Sequence, residues 1–311
     1  MSAYRNLLCG VCMCVTPALA ITRYVDVNSA TPAAPYTSWA TAAQSIQAAV
    51  DVCVSGDEVV VANGVYAVGG TLLEGVSNRV ALHTPVQVRS LNGPTSTVIC
   101  GVAYDYMAAV GMRCAYLTNG AELHGMTLSN GSSYSTATSY PMRHGGGALL
   151  TGGGMLSNCV VADNQGVGYA RGGGVYCHAG GRVFDSLVMS NSAYMGGGVF
   201  CCSSGLIARC ALLGNRSLST TSSDGGGCFL DGGHVRDCLI TENEAYGSGG
   251  GVFIAAYSLL MNCLITSNRA LYTTSGGGGV HLYLNGLVSN CIVSANRAEL
   301  GGGIYNRRRG E

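Results

Sequence analysis

Residues 172–191 read GGGVYCHAGGRVFDSLVMSN, and residues 196–215 read GGGVFCCSSGLIARCALLGN. The two stretches align without a gap, because each begins with three glycines and ends on asparagine. Glycine triplets start at positions 145, 172, 196, 225, 249, 277 and 301, at intervals of 27, 24, 29, 24, 28 and 24 residues. A period of this size is typical of a solenoid, in which each repeat buries one face against its neighbours.

Apolar side chains recur at fixed distances from each triplet and predict two short strands per repeat. The inward positions of the first strand hold Ala148, Val175, Val199, Cys228, Val252, Val280 and Ile304, then Leu150, Cys177, Cys201, Leu230, Ile254 and Leu282. The second strand begins at a cysteine position with Cys159, Ser186, Cys210, Cys238, Cys263 and Cys291. It ends before an asparagine position with Asn164, Asn191, Asn215, Asn243, Asn268 and Asn296, and Asn130 is an earlier relative.

Identical side chains in register on successive coils form columns along a parallel β-solenoid, about 4.8 Å apart. Stacked asparagine amides can bond to each other and to the backbone of a turn. Glycine supplies corners that need a positive φ or a close backbone approach, and parallel strands strongly favour a right-handed crossover. The repeats therefore predict an all-β chain, folded as a single-stranded right-handed parallel β-helix.

These repeats resemble those of two known groups. Gly173-Gly174-Val175-Tyr176 followed by Val188-Met189-Ser190-Asn191 is similar to the G-G-A-I and F-x-x-N pieces of chlamydial polymorphic outer-membrane protein repeats. The periodic region, about residues 120–305, also looks like the right-handed β-helix proteins of the pectin-lyase-like superfamily. That resemblance implies the fold, and it implies polysaccharide lysis or hydrolysis as one activity of such proteins. Glycine in place of the family's alanine and aliphatic residues in place of its phenylalanine are departures.

Composition excludes several functional classes. Charged residues make up 10% of the 311 residues, and all 16 basic residues are arginine, so no P-loop lysine or Schiff-base lysine exists. The net charge of zero gives no electrostatic footprint for nucleic acid. With 48% apolar residues the chain can form a core. No apolar run reaches the length of a membrane-spanning helix.

The first twenty residues have the features of a secretory signal peptide. Arg5 precedes an apolar run over residues 7–15, and Ala18-Leu19-Ala20 fits a cleavage site. We therefore expect a secreted protein, or one on the outer surface of a bacterium, that begins at Ile21 after cleavage near Ala20. Residues 21–311 would form one β-helix domain. Its parts would be a cap and first coil over 21–70, irregular coils over 71–144, triplet repeats over 145–305 and a tail over 306–311.

Residues 39–53 have apolar side chains at helical spacing, and we expect a helix there that caps the N-terminal end of the solenoid. The twelve cysteines left after cleavage form an even set in an oxidising compartment. In-register cysteines lie within the Cα distance of a disulfide, but buried cysteine also serves as a small stackable hydrophobic residue. Neither interpretation needs a metal, and zinc-knuckle spacing is absent.

Three sets of outward residues are candidates for binding or chemistry. An aromatic column suited to stacking on sugar rings holds Tyr176, Phe200, Phe229, Phe253, His281 and Tyr305; the rings could instead stack on one another. A charge column holds Asp185, Arg209 and Asp237, either as weak catalytic or calcium-binding candidates or as a solvated ion-pair ladder. An aliphatic row holds Val160, Leu187, Ala211, Leu239, Leu264 and Ile292, either as an interaction surface or under a loop.

The connections after each ladder asparagine are alternately long and short. Residues 131–144, residues 218–224, residues 271–275 and Tyr169 make a ridge rich in Ser, Thr, Tyr and Gly, which suits adaptable recognition. Our leading functional hypothesis is a structural or adhesive β-helix, with a cell-surface glycan or a protein as its candidate partner and no cofactor. The alternative is a polysaccharide lyase or glycoside hydrolase, and only that alternative calls for calcium.

Overall fold

The computed structural model describes residues 19–108, 110–133, 141–218, 224–272 and 274–307. Most of the predicted signal peptide (residues 1–18), parts of the predicted ridge (134–140, 219–223 and 273) and most of the tail (308–311) lie outside the described residues. Within the described ranges the chain winds through four sheets, and a full coil contributes one short strand to each of them.

Sheets 1 and 2 form two walls of the solenoid. Sheet 1 has ten strands: Thr22–Val25, Glu58–Val61, Gln87–Ser90, Glu122–His124, Met155–Ser157, Arg182–Phe184, Leu206–Ala208, His234–Arg236, Leu259–Met261 and Leu287–Ser289. Sheet 2 has nine strands: Gly64–Tyr66, Thr97–Cys100, Thr127–Ser129, Val160–Ala162, Leu187–Met189, Ala211–Leu213, Leu239–Thr241, Leu264–Thr266 and Ile292–Ser294.

Sheets 3 and 4 complete each coil. Sheet 3 has six strands: Ser132–Ser133, Gln165–Gly166, Ser192–Ala193, Arg216–Ser217, Glu244–Ala245 and Arg269–Ala270. Sheet 4 has eleven: Thr71–Leu73, Val76–Leu82, Val102–Asp105, Val110–Leu117, Ala148–Leu150, Val175–Cys177, Val199–Cys202, Cys228–Asp231, Val252–Ala256, Val280–Leu282 and Ile304–Asn306. Thr71–Leu73 and Val102–Asp105 pair antiparallel with their neighbours, and the other pairings are parallel.

Neighbouring coils pair in register, so the sequence repeats become columns. Val175 lies opposite Val199, Tyr176 opposite Phe200, and Cys177 opposite Cys201. The predicted parallel β-helix is therefore confirmed. The sequence pattern indicated two strands per repeat where the structure has four. The missed strands carry one inward residue each, as in Arg182–Phe184 and Ser192–Ala193, and one residue cannot show a period of two.

The core runs along the axis of the solenoid and consists of the inward columns. Val188, Val199 and Leu212 have no exposed surface, and neither do Val183 and Ile207 on the sheet 1 strands that the sequence pattern did not reveal. The apolar interior is thus continuous from coil to coil.

The glycine triplet meets three separate demands of the corner between sheets 3 and 4. Gly172 has φ +67°, a left-handed conformation that glycine adopts without strain. A Cβ on Gly173 would lie 2.5 Å from the carbonyl oxygen of Gly197, and one on Gly174 would lie 2.9 Å from the Asn191 amide nitrogen. The corner therefore needs glycine once for conformation and twice for space.

The two ends of the solenoid differ. The predicted helix over residues 39–53 is shorter than expected: a 3-10 turn spans Trp39–Thr41 and an α-helix spans only Ile46–Val50. Gln47 in this helix accepts a hydrogen bond from the Ala81 amide at 2.7 Å, so it satisfies backbone at the edge of sheet 4. At the other end Leu287 and Ile292 are exposed, although their columns are more buried upstream.

Candidate functional site

The asparagine column is a continuous hydrogen-bonded ladder. Asn215 Oδ1 accepts from the backbone N–H and the side-chain Nδ2 of Asn191, both at 3.0 Å. Asn215 Nδ2 donates to Asn243 Oδ1 at 3.0 Å and to the Val188 carbonyl at 2.9 Å. The amide is fully buried and has donors and acceptors on both sides, so this column holds the turn between sheets 2 and 3 and leaves no group for a ligand.

Asn130 is not the first member of this ladder, although the sequence pattern placed it there. Thr127–Ser129 pairs with Val160–Ala162, so Gly131 and not Asn130 aligns with Asn164. The Gly131 amide donates to Asn164 Oδ1 at 2.8 Å, as the ladder asparagines do to each other. Asn130 instead adopts φ +57°, the left-handed position that Asp163 takes in the next coil.

The cysteine column lines the neighbouring turn, between sheets 1 and 2. Cys238 Sγ donates to the Arg236 carbonyl at 3.1 Å and accepts from the Cys210 amide at 3.4 Å. Ser186 makes the same two bonds with its hydroxyl, to Phe184 O at 2.6 Å and from the Cys159 amide at 3.0 Å. The column thus satisfies turn backbone. Among the described residues the cysteines, including Cys263 and Cys291, are free thiols.

The aromatic column points away from the axis, as its parity predicts, but it is covered. Tyr176, Phe200, Phe229, Phe253 and His281 are each at most 7% exposed. Successive rings from Tyr176 to His281 stack with interplanar angles of 15°, 8°, 16° and 10° and centroids 4.7–5.4 Å apart. Tyr305 follows, tilted by 49° against His281. The rings therefore already occupy each other's faces.

The residues just before each glycine triplet cover this column. The His144 ring lies 4.7 Å from the Tyr176 ring, the Arg171 guanidinium lies 4.9 Å from the Phe200 centroid, and Met195 packs against the same cluster. Stacking of a sugar on these rings would require the cover to move away. The proposed ligand-binding role of the aromatic column therefore stays a prediction that its burial does not favour.

The charge column forms ion pairs on the surface. Arg209 holds both oxygens of Asp185, at 2.7 and 2.8 Å, and this bond lowers the pKa of the Asp185 carboxyl. Asp237 instead accepts from Asn262 at 2.9 Å and pairs with Arg236 at 2.6 Å, which lower its pKa. The carboxylates of Asp185 and Asp237 are thus engaged by neighbouring side chains at the surface, as in a solvated ion-pair ladder.

A polar groove on sheet 1 did not emerge from the sequence as a site. Glu58, Gln87 and Glu122 lie in register on three successive coils and line a groove of about 310 Å³. Gln87 donates to Glu122 at 3.1 Å, and Arg89 pairs with Glu58 at 2.5 Å. The two carboxylates lie in register two coils apart, and each of them already has a side-chain partner. The residues lie before the glycine-triplet repeats, in the first coil and the irregular coils, where no repeat aligns them.

Exposed tyrosines line a larger groove beside sheet 3, which we call the tyrosine groove. It has a volume of about 510 Å³ and is lined by Tyr106, Gln165, Gly166, Val167, Gly168, Tyr169, Ala193, Tyr194 and Leu218. Tyr106 is 72% and Tyr169 81% exposed, and the Tyr169 and Tyr194 rings meet edge-on at 5.3 Å. The predicted ridge thus contributes Tyr169 and Leu218 to a concave surface, and sequence reasoning missed the partners that complete it.

A column of large side chains runs from the groove along the solenoid. Leu218 donates its amide to the Ala193 carbonyl and Tyr246 donates to the Ser217 carbonyl, so Tyr194, Leu218 and Tyr246 form one outward column. Tyr246 and Tyr272 have ring centroids 5.7 Å apart. Tyr194 and Tyr246 are half-buried, so each offers part of an apolar ring face together with a hydroxyl group.

The aliphatic row on sheet 2 is open along its C-terminal half. Leu239, Leu264 and Ile292 are 39%, 41% and 67% exposed, and in the described part of the chain nothing packs over them. No helix of the described residues is long and apolar enough to cross a membrane. Those same residues hold no group of three or more His, Cys, Asp or Glu side chains placed to bind a metal ion.

These features define a parallel β-solenoid whose corners are fixed by asparagine and thiol ladders. The family model described as right-handed beta helix region matches residues 146–311. The match covers more than half of the chain, and the chain belongs to this family.

A solved structure of the catalytic domain of a GH87 alpha-1,3-glucanase in complex with tetrasaccharides is similar at 11% identity and a TM-score of 0.29, over 95% of this chain and 69% of that one. The comparison with curated proteins gives no match.

Proposed function

We propose that this chain is an exported β-helix that contacts glycans through the tyrosine groove. One observation carries the proposal: the stacked aromatic column is buried, whereas Tyr106, Tyr169 and Tyr194 present their rings in a groove of about 510 Å³. Tyrosine supplies a rigid apolar face together with a hydroxyl donor and acceptor, at a low cost in side-chain entropy. The groove runs along several coils, which suits an extended chain of sugars better than a compact ligand.

Retention on immobilised glycans tests this proposal. Residues 21–311 are passed over acidic and neutral polysaccharides, with and without calcium, beside Tyr169→Ala and Tyr194→Ala variants. We expect the parent to be retained and each variant to bind about tenfold more weakly, because truncation of a central aromatic contact typically has this effect. Tyr257→Ala is the matched control, since Tyr257 is 76% exposed and lies outside the groove.

Equal binding by the parent and both groove variants would contradict the tyrosine groove as the binding site. A lack of retention on every glycan would instead leave a scaffold with a protein partner, for which the open aliphatic row is the next surface to alter.

Hydrolysis or lysis of a polysaccharide is the second candidate, and the column of Glu58, Gln87 and Glu122 favours it. The same incubations show whether reducing ends or unsaturated products appear. If they do, Glu122→Gln should abolish product and leave retention unchanged, because the substitution removes the carboxyl but keeps the shape of the groove. Product that persists in Glu122→Gln would exclude this column as the catalytic site.

A further inference from the structure

Asp57 is a buried carboxylate that holds the backbone amide of Ile21, the residue directly before the first strand. It lies between the helix Ile46–Val50 and the strand Glu58–Val61, and its side chain has no exposed surface. Oδ1 accepts the backbone N–H of Ile21 at 2.8 Å. Oδ2 accepts the Val54 N–H at 2.7 Å and the Arg23 guanidinium at 2.5 Å.

Ile21, whose amide Asp57 holds, also pairs with the second strand of sheet 1. The Ile21 carbonyl accepts a hydrogen bond from the Glu58 amide at 3.1 Å, so Ile21 is already part of the sheet 1 pairing. Leu19 is 88% exposed and Ala20 is exposed, so the side chains directly before the peptide bond between Ala20 and Ile21 lie outside the core. The sequence pattern independently places the end of the signal peptide at this bond.

We propose that cleavage between Ala20 and Ile21 creates an α-ammonium group on Ile21 that forms an ion pair with buried Asp57, and that this pair anchors the first coil of the solenoid. The processing step rests on the export in the proposed function. A peptidase that cuts after small residues adds water across the bond. The Ala20 carbonyl takes the hydroxyl and departs as a carboxylate, and the Ile21 nitrogen takes a hydrogen and then a proton.

The surroundings of Asp57 suit a second cation. Burial opposes ionisation of this carboxyl, but hydrogen bonds from Val54, Ile21 and Arg23 outweigh burial and lower its pKa. Cys53 stays neutral, because burial raises the pKa of its thiol to about 11. The other charged groups near this end are Asp51 and Glu58, and Glu58 is paired with Arg89. A charge-assisted hydrogen bond from an ammonium group is stronger than the hydrogen bond from the neutral backbone N–H that it replaces.

Three forms of the protein test the ion pair without an export step. The first is residues 21–311 with a free Ile21 amine, released from a fusion by a protease that leaves no extra residue. The second is the same chain acetylated at Ile21, which keeps one N–H but removes the charge. The third retains Leu19 and Ala20. We expect the free amine form to melt several degrees higher than the other two at pH 6.5.

The stability difference between the free and acetylated forms should depend on pH in a defined direction. An α-amine has an ordinary pKa of about 7.7–8.0, and a carboxylate partner raises it in the folded state. The advantage of the free amine is therefore complete below about pH 7.5 and disappears as the pH rises through the raised value. Asp57→Asn should abolish the difference between free and acetylated forms. If that variant does not fold, titration of the Ile21 amine in the parent decides, since the proposal requires its pKa above 8.

Processing is tested separately, on the full chain produced in a bacterium that exports it. The intact mass should correspond to residues 21–311. A different first residue, or retention of residues 1–20, overturns the cleavage site. Equal melting of the free and acetylated forms, or an Ile21 amine with an ordinary pKa, overturns the ion pair. Neither readout involves a glycan, so failure of these tests is distinct from failure of glycan binding.

Discussion

At the scale of the residue, the asparagine ladder shows why one amide recurs at every coil. The position needs two donors and one acceptor at one buried point, which no other side chain of that size supplies. Asn215→Ala removes four bonds and leaves two buried Asn191 donors, the backbone N–H and one amide hydrogen, without the acceptor they share. We expect it to lower the free energy of unfolding by about 3–5 kcal/mol, measured by denaturant titration.

The matched control is Asn92→Ala, because Asn92 is exposed and its side chain donates to the exposed side chain of Asn63. It should change the free energy of unfolding by less than about 0.5 kcal/mol. A loss below about 1 kcal/mol in Asn215→Ala would mean that water or a shifted turn replaces the amide, and would contradict the ladder as a source of stability.

At the scale of the element, the turn between sheets 1 and 2 decides between two views of cysteine. A hydrophobic role predicts that valine replaces it well, whereas a hydrogen-bonding role predicts that serine does. Cys210, together with burial, raises the pKa of the Cys238 thiol to about 12, so Cys238 remains an S–H donor at neutral pH. Ser186 already fills the same position with both bonds in place.

We therefore expect Cys238→Ser to stay within about 1 kcal/mol of the parent in free energy of unfolding, and Cys238→Val to lose about 1–3 kcal/mol. Denaturant titration of both variants under reducing conditions measures the difference. A valine variant as stable as the serine variant would show that packing, and not the turn backbone, accounts for the thiol column.

At the same scale, the strands that repeat in register could be predicted from the sequence, whereas the connections between them could not. Columns follow from register, so the inward residues, the ladder positions and the outward parity of Phe200 were readable from a fixed offset. The cover over Phe200 comes from Arg171 and Met195, which lie at the ends of connections of unequal length and carry no periodic signal. The length of the helix was overestimated, as 39–53 instead of Ile46–Val50, because the apolar spacing continues into residues that are not helical.

At the scale of the whole molecule, function depends on what the coils leave outside. The same periodicity that fills the interior places Tyr194, Leu218 and Tyr246 in one outward column, and Leu239, Leu264 and Ile292 in another. The grooves of Glu58 and of Tyr169 lie on different sheets, so variants of one should not disturb the other. Glu58 comes from a non-repeating coil and Tyr169 from a long connection, and sequence periodicity describes neither of them.

The stability of the whole solenoid should depend on pH through a histidine in the cover. His144 is 2% exposed, and burial, with the charges of Arg171, Arg143 and Arg113, lowers its pKa to about 3. Its Nδ1 accepts the Arg171 amide at 3.1 Å and cannot be protonated while that bond persists. In the unfolded chain the ordinary pKa is about 6.5, so below pH 6.5 the unfolded state binds more protons than the folded state.

The contribution of His144 is therefore complete above pH 6.5 and is lost as the pH falls, at about 1.4 kcal/mol per pH unit. Denaturant titrations between pH 6.5 and 5, above the ordinary range of carboxyl groups, should show this decline. His144→Gln, which keeps an acceptor for the Arg171 amide, should reduce the slope by that amount. An unchanged slope would mean that His144 is protonated within the fold, and that the cover over the aromatic column opens to water in mild acid.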